Sequence, residues 1–401
     1  MNIWNITIHS IKSKPLYSFL SIFTLSLSIM LLLGIQQLKF SFKNQIENNL
    51  GNIDLVIGAK GSPLQLVLAS ILHLDNPTGN ISYEEAKKIG THPMVASAVP
   101  ISYGDNYKNY RIVGTTKEYM SIYNAELNTG RAVKASLEVV LGATVAQKLN
   151  LKIGDTLLSA HGLIDNSIDV HSDKLTIVGI LKPTQKVIDR LIITNLESVW
   201  DVHEHEHHNH HETHEQHEDH KEITSLLVTF KSPRAILTFP NKVNKSTNMQ
   251  AALPKYELTK LYEYTSVGFK TISWIAYIIL VISCLTIFIN FYKMVKERAF
   301  HLAILRTYGA TNFQLIKTLI YEALFIVFIA FLTGVLLVKI GMYFVLNTMQ
   351  TNVQSNILKE LPFQNILEIA MLILIMVIVS VTVAIYPLVS MNISTILSHE
   401  K

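Results

Sequence analysis

The chain has 401 residues, of which 49% are hydrophobic and 16% are charged, and its formal net charge is +4. Soluble proteins usually carry about 25% charged residues. The deficit is concentrated in four long apolar stretches, so the composition indicates a membrane protein and not a soluble core. The small net charge, without a basic stripe that includes aromatic residues, argues against a nucleic-acid-binding protein. The single cysteine, Cys284, excludes an intrachain disulfide framework and a cysteine-based metal site.

Four apolar stretches are long enough to cross a bilayer, which requires about 20 residues in a helix. We predict transmembrane helices at residues 15–38, 271–292, 318–346 and 366–390. The first stretch exceeds the usual apolar region of a signal peptide, so we expect an uncleaved anchor. The predicted fold class is therefore a membrane α-helical protein with four transmembrane helices and a large α+β extracytoplasmic domain, residues 39–270, inserted between the first and second helices.

The polar block 39–270 contains strand-like and helix-like segments in local clusters, which is typical of an α+β domain. Residues 39–50 are predicted to continue the first helix, because their apolar positions recur every four residues. Ser82 and Glu85 form a capping-box pattern at the start of a short helix. Residues 256–269 lead back to the membrane as a strand or a helix. The block contains no convincing nucleophile–base–acid spacing, so we predict no catalytic residues and no enzymatic activity for this chain.

A histidine-rich tract interrupts this domain at residues 203–220, where nine of the 16 histidines are interleaved with acidic residues. The candidate metal ligands are His203, His205, His207, His208, His210, His211, His214, His217 and His220. Imidazole is a common ligand of zinc, copper and nickel, but the spacing matches no closed structural site. We therefore predict a flexible, low-selectivity chelator in a loop, and the alternative is a disordered loop without a role. We expect no intrinsic cofactor, and zinc or another divalent transition metal at this loop is the candidate ligand.

The distribution of positive charge predicts the orientation of the chain. Residues 293–317 carry five Lys or Arg residues against one acid, whereas the short outer loop 347–365 carries only Lys359 next to Glu360. We therefore place 293–317, both termini and the tail 391–401 in the cytoplasm. The domain 39–270 is then expected on the outside.

The third apolar stretch contains residues that affect how it packs in the membrane. Glu322 lies near the predicted cytoplasmic end, about one turn after Lys317. A charge inside a membrane helix is costly, so we expect Glu322 to snorkel or to pair at the interface. Gly334 and Gly341 would allow close packing against another helix.

The segment 293–317 is predicted to contain two short amphipathic helices joined at Gly309, a residue that suits the position after a helix end. Its apolar residues Leu302, Ile304 and Leu305 are too many for a free surface, so we expect a partner protein to cover them.

Three parts of the chain resemble the MacB/FtsX permeases, which are type VII ABC transporter subunits. Residues 297–310, with the pattern Glu-Arg-x-x-x-Leu-Ala-Ile-Leu-Arg-Thr-x-Gly-Ala, are similar to the segment that follows a span in this family. Residues 4–16 resemble the cytoplasmic helix that leads into the first span of these permeases, and we predict this entry helix at residues 1–14. Residues 140–156 resemble a stretch of their periplasmic domain. The resemblance implies that the ATPase-coupling residues are Glu297, Arg298, Leu302, Ala303, Leu305, Arg306, Gly309 and Ala310.

The resemblance implies a permease subunit that forms a homodimer in a bacterial inner (plasma) membrane. A separate ATP-hydrolysing ABC subunit would bind each coupling segment, and its motion would be relayed to the MacB-like outer domain, a process termed mechanotransmission. The chain has no G-x-x-x-x-G-K-[ST] phosphate loop and no fused ATPase domain, so the ATPase is expected to be a partner. A periplasmic adaptor or substrate-binding protein is a further candidate partner.

The substrate stays open at this stage, and the histidine tract suggests a link to zinc or another transition metal. The first alternative is a lipoprotein-releasing permease. The second is an FtsX-like regulator of a cell-wall hydrolase, although an outer domain of about 230 residues is large for that class. A metal sensor, with loading of the tract as its signal, is the third.

Overall fold

The computed structural model describes residues 15–160, 170–207, 221–297, 311–348 and 361–390. The chain divides into two compact units. One unit, which we call the membrane unit, comprises Met1–Phe42, Thr265–Gln350 and Ile357–Lys401. The other, which we call the inserted domain, comprises Lys43–Tyr264. The predicted helix 1–14 and tail 391–401 lie outside the described residues.

The helices follow the apolar and amphipathic patterns of the sequence. They are α1 (Pro15–Leu50), α2 (Pro63–Val67), α3 (Tyr83–Gly90), α4 (Glu118–Ile122), α5 (Ala143–Leu149), α6 (Leu196–His207), α7 (Ala235–Ser246), α8 (Pro254–Glu297), α9 (Asn312–Thr348) and α10 (Phe363–Ser390). A π-helical turn, Leu68–Leu72, follows α2, and a 3₁₀ turn spans Val187–Arg190.

Among the described residues, four helices are long and apolar enough to cross a membrane, namely α1, α8, α9 and α10. Their apolar side chains point inward and outward alike. Leu25 and Ile29 are fully buried, whereas Trp274 and Phe344 are largely exposed. Helices that are apolar all round are typical of membrane spans. The prediction of four transmembrane helices is confirmed, and α1 continues through Leu50 as predicted.

Small residues and buried hydroxyl groups hold the membrane unit together. The hydroxyl oxygens of Ser28 on α1 and Ser283 on α8 are 2.8 Å apart, and Ser380 on α10 donates a 2.7 Å hydrogen bond to the carbonyl of Cys284. Gly334 on α9 lies so close to α1 that a Cβ built on it would be 2.7 Å from Cγ2 of Ile29. The predicted close packing at Gly334 is therefore confirmed, and small residues permit it as in other membrane bundles.

The strands of the inserted domain form a mixed sheet. They are β1 (Leu55–Ala59), β2 (Ile81–Ser82), β3 (Val95–Tyr107), β4 (Tyr110–Thr115), β5 (Leu127–Gly130), β6 (Glu138–Leu141), β7 (Thr156–Ala160), β8 (Val170–Leu181), β9 (Ile192–Asn195), β10 (Glu222–Ile223), β11 (Ser225–Phe230) and β12 (Met249–Ala252). In the described part, ten strands pair in the order β12-β1-β11-β3-β4-β9-β6-β8-β5, and β7 pairs with β3 and β8. The β4–β9 and β6–β8 pairs are parallel. The short strands β2 and β10 pair separately.

Apolar side chains from the sheet and the surrounding helices build the cores of the inserted domain. In one cluster, Ile57 of β1 and Leu226 of β11 are buried together with Phe239 of α7. In another, Ile112 of β4 is buried with Leu157 of β7. Burial of such side chains is the main favourable term in folding. The predicted α+β class of this domain is confirmed.

Two local features could not be read from the sequence pattern. Ser82 directly precedes α3, but its side chain makes no capping hydrogen bond, so the predicted capping box is wrong. The pairing of β2 with β10 fixes the backbone here instead, and the amide of Tyr83 donates to the carbonyl of Lys221 over 2.9 Å. Residues 256–269, for which strand and helix were both open, lie within α8.

A buried polar network that sequence analysis did not anticipate lies after the π-helical turn. His73 adopts a left-handed conformation there, with φ of 53°. Its Nε2 is 2.9 Å from the hydroxyl of Tyr119, and its Nδ1 is 2.8 Å from the hydroxyl of Tyr103. Burial, and then the charges of Arg111 and Arg190, lower the pKa of His73 from 6.5 to about 3. The imidazole is therefore neutral at physiological pH and shares both ring nitrogens with tyrosines.

Candidate functional site

A small polar cavity lies in the membrane unit, at the end of α8 that leads into the predicted coupling segment. Its volume is about 30 Å³. It is lined by residues of α1, α8 and α9: Tyr17, Ser18, Ser21, Asn290, Phe291, Lys293, Met294, Glu297, Glu322 and Ile326. A space of this size holds about one or two water molecules. The cavity is therefore a polar joint between α1, α8 and α9.

Asn290 connects α8 to α1 at this cavity. Its side-chain amide donates to the hydroxyl of Ser21 over 2.6 Å and lies 3.5 Å from the carbonyl of Tyr17. Ser21 is only 1% exposed. A buried polar group without a partner is costly in apolar surroundings, so this bond favours a fixed arrangement of the two helices.

Glu322 lies on α9 and lines the same cavity. Its side chain is 3% exposed, so the snorkelling alternative is wrong. The other α9 residues around it, Leu319, Ala323 and Ile326, are also buried, which explains why the carboxyl group stays inside the bundle. An ionisable group at such a position requires polar neighbours, and the cavity supplies them. Pairing of Glu322 remains a prediction.

One of the predicted coupling residues belongs to this joint. Glu297 is the last residue of α8 and lines the cavity. The other seven lie outside the described residues: Arg298, Leu302, Ala303, Leu305, Arg306, Gly309 and Ala310. The structure thus places the first residue of the predicted coupling segment at a cavity that the buried side chains of Ser21 on α1 and Glu322 on α9 also line.

The sequence analysis did not single out Ser21 and Asn290. A signal was present, because Asn290 is the only amide side chain in the predicted span 271–292, and Asn side chains in membrane helices hydrogen-bond to neighbouring helices. Its partner could not be found in the same way. Ser21 is one of several serines in the first span, and 269 positions separate the two residues.

The histidine tract begins within a helix and not in a loop. Helix α6 extends through His207, so the prediction of a loop starting at His203 is wrong for the first part of the tract. The helix forms there because Leu196, Val199 and Val202 share one buried face at helical spacing. The six histidines from His208 onward lie outside the described residues. In the part of the chain that the structure describes, no group of three or more His, Cys, Asp or Glu side chains is placed to hold one metal ion.

Two family models match the chain, and together they cover most of its length. A model described as MacB-like periplasmic core domain matches residues 18–244, and a model described as FtsX-like permease C-terminal matches residues 273–393. The first model alone covers more than half of the chain. The chain belongs to the MacB/FtsX-type ABC permease family. It is therefore a multi-pass membrane component of an ABC transporter. Members of this family are generally non-catalytic. They are expected to have an ABC ATPase partner and often to dimerise.

Solved structures of this family are similar to part of the chain. The periplasmic region of MacB from Actinobacillus actinomycetemcomitans is 11% identical with a TM-score of 0.35, and covers 55% of this chain and 97% of its own. The extracellular domain of the noncanonic ABC-type transporter YknZ from Gram-positive bacteria is 13% identical with a TM-score of 0.32, and covers 50% of this chain and 98% of its own. No curated protein matches the chain. The assignment to the family accordingly rests on the two family models.

Proposed function

We propose that this permease relays the motion of a separate ABC ATPase to the inserted domain, which lies on the extracytoplasmic side of a bacterial inner (plasma) membrane. The observation that carries the proposal is the length of the two helices that flank this domain. Helix α1 has 36 residues and α8 has 44, which correspond to about 54 Å and 66 Å at 1.5 Å per residue. Both exceed the hydrocarbon thickness of about 30 Å, so each continues well beyond a membrane.

Helix α8 connects the two ends of the proposed relay along the chain. It begins at Pro254, directly after β12, and ends at Glu297, where the proposed coupling segment starts. Its only proline is at the first helical position, where proline is well tolerated. A displacement of the coupling segment would therefore pass along one continuous helix. The five basic residues between 293 and 317 support a cytoplasmic position for that segment.

The relay is tested by breaking both flanking helices at exposed positions. Lys43 on α1 and Lys260 on α8 are exposed, and a proline inside a helix costs about 3 kcal/mol or more. We expect the ATPase in complex with the double variant Lys43→Pro/Lys260→Pro to hydrolyse ATP, while the inserted domains do not move. Spin labels at Lys245→Cys in a Cys284→Ala background would report the distance between the two permease copies with and without ATP and vanadate.

The matched control is Lys43→Ala/Lys260→Ala, which removes the same charges and keeps the helices. We expect this control to retain the nucleotide-dependent distance change of the parent protein. An identical distance change in the proline and alanine variants would contradict the relay.

We propose that the eight coupling residues form the docking site for the ATPase, with Leu302, Ala303 and Leu305 as its apolar part. Replacing Leu305 by Asp should abolish co-purification with the ATPase, because it places a charge in a desolvated contact. Leu237 is 76% exposed on the inserted domain, so Leu237→Asp makes the same chemical change away from the proposed site. Equal co-purification of both variants would contradict the docking proposal.

We propose that the histidine tract binds zinc or another divalent transition metal and links the transporter to metal handling. Because α6 includes the first three histidines of the tract, replacing all nine by Gln preserves the helix better than a deletion. Zinc should change the ATPase activity of the lipid-embedded complex for the parent protein and not for the Gln variant. Calcium, which prefers oxygen ligands, serves as the control ion. The same zinc response in both proteins would exclude a role for the tract.

A further inference from the structure

An open cleft of about 680 Å³ lies within the inserted domain. It is located where the parallel neighbours β4 and β9 end, with Thr115 of β4 opposite Asn195 of β9. Helices α4 and α6 begin beside it. Crevices at the carboxyl ends of neighbouring parallel strands are frequent ligand sites, and small-molecule pockets have volumes of about 300–1,000 Å³. The cleft therefore has both the position and the size of a ligand pocket.

The cleft is preformed because hydrogen bonds within the domain fix its walls. Thr115 donates its hydroxyl hydrogen to the carbonyl of Pro100 over 2.8 Å, and the side-chain oxygen of Asn195 accepts from the amide of Ser198 over 3.0 Å. The indole N–H of Trp200 donates to the carbonyl of Glu222 over 2.8 Å. These polar atoms already have partners in the wall, so a ligand would not use them for hydrogen bonds, whereas the ring face of Trp200 is not engaged by these bonds.

An aromatic pair offers an apolar surface inside the cleft. The rings of Tyr83 and Trp200 both line it, with centroids 5.3 Å apart and planes inclined by 59°. The hydrogen bond of the indole orients the ring of Trp200 from behind. A fixed aromatic surface of this kind binds the apolar part of a ligand at a low cost in conformational entropy.

Charged side chains line the cleft together with this aromatic pair. The side chains of Lys117, Lys134 and Lys221 line the cleft, and the ammonium of Lys221 lies 4.8 Å from the ring centroid of Trp200. Among the described residues, no carboxylate lies within salt-bridge distance of Lys134 or Lys221. The acids Glu118 and Glu197 also line the cleft, and a hydrogen bond with Thr116 lowers the pKa of Glu118, so the three lysines exceed the acids by one. The ammonium groups of Lys134 and Lys221 are thus available to an anion.

We infer that this cleft binds a small anionic amphiphile, whose carboxylate or phosphate group contacts the lysines while its apolar part packs on Tyr83 and Trp200. Charge-assisted hydrogen bonds from ammonium groups favour such head groups. The inference goes beyond the proposed function because it gives the inserted domain a ligand of its own. Its test requires no ATPase, so its failure would leave the relay untouched.

The test uses the full chain in lipid nanodiscs, with Trp4→Phe and Trp274→Phe so that Trp200 is the only tryptophan. Hexyl phosphate is the probe, because it is soluble, optically transparent and combines an anionic head with a short apolar chain. We expect a saturable change in Trp200 fluorescence. Lys134→Glu should weaken binding at least about tenfold, because repulsion replaces a charge-assisted contact.

Matched controls separate the proposed site from unspecific effects. Lys245 is exposed on α7 and does not line the cleft, so Lys245→Glu should leave the affinity within about twofold, since exposed charges at a distance are largely screened. Hexyltrimethylammonium should produce no saturable change. An absent response to hexyl phosphate, an equal response to the cation, or equal affinities of the Lys134→Glu and Lys245→Glu variants would each overturn the inference.

Discussion

The contact between Gly334 and α1 gives a quantitative test of how the membrane unit packs. A Cβ added at Gly334 would lie 2.7 Å from Cγ2 and 2.8 Å from Cβ of Ile29, and 3.1 Å from the carbonyl oxygen of Ser26. Ile29 is fully buried, so it has no room to move aside. The substitution Gly334→Ala must therefore push α1 and α9 apart.

The size of the effect follows from two opposing terms. In an open helical position, Gly→Ala stabilises a helix by about 0.5–1 kcal/mol. Gly34 on α1 and Gly268 on α8 are such positions, because a Cβ there would meet nothing within 4 Å. Overpacking costs about 1–3 kcal/mol. We therefore expect Gly334→Ala to be about 1–3 kcal/mol less stable than Gly34→Ala or Gly268→Ala.

A thermal unfolding assay can use the single cysteine as its reporter. Cys284 is 8% exposed and free, so a thiol-reactive fluorogenic dye labels it only when the bundle opens. A change of 1 kcal/mol corresponds to about 2–4 °C for a unit of this size, so the midpoint for Gly334→Ala should be about 2–12 °C below those of the two controls. Gly341→Ala should resemble the controls, because its new Cβ would meet only the flexible end of Met30 at 3.3 Å. Equal midpoints for Gly334→Ala and Gly34→Ala would refute the packing argument.

Two further predictions concern the pH dependence of the inserted domain. The side-chain hydrogen bond from Arg131, with backbone amides, lowers the pKa of Glu138 from 4.5 to about 2. Its stabilisation is present above pH 4.5 and is lost toward pH 2, so the stability difference between the parent protein and Glu138→Gln in chemical unfolding should shrink over that range. The lowered pKa of His73 means that the unfolded chain binds an extra proton between pH 6.5 and about 3, so acid should destabilise the parent protein there by up to about 1.4 kcal/mol per pH unit. His73→Asn, which tolerates the left-handed backbone, should lack this contribution, and a pH-independent difference would contradict the assignment.

The features that the sequence revealed are those that local patterns encode. Four apolar runs predicted the membrane helices, and apolar residues at four-residue spacing predicted the continuation of α1 to Leu50. Predictions from local patterns were wrong or absent where contacts with residues distant in the chain determine the local structure. Ser82 matches a capping box, yet pairing with β10, some 140 residues later, determines its backbone. The contacts of His73 with Tyr103 and Tyr119 likewise depend on the sheet, so neither tyrosine could be identified from spacing.

The candidate sites also differ in whether adjacent residues or residues distant in the chain form them. Glu297 was predicted to be a coupling residue because it belongs to a motif of adjacent residues, and the structure adds that it lines the polar cavity. The bond between Ser21 and Asn290 joins separate spans, so it required coordinates. The cleft of the inserted domain gave no sequence signal, because Tyr83, Trp200 and Lys221 come from three separate segments. A lysine in a polar segment is indistinguishable from any surface lysine until its neighbours are known.

The interior of the membrane unit explains why a relay through whole helices is physically reasonable. The close contact at Gly334 and the hydrogen bonds of Ser28 with Ser283 and of Asn290 with Ser21 each join two helices. Packed interiors transmit strain, because they are dense and resist compression. In the proposed relay, a displacement that begins at Glu297 would therefore move helices as units and would not be absorbed by loosening of side chains around α8. Helix α8 contains no proline after Pro254. Proline is a common cause of sharp helix kinks, so this cause of bending is absent between β12 and the proposed coupling segment.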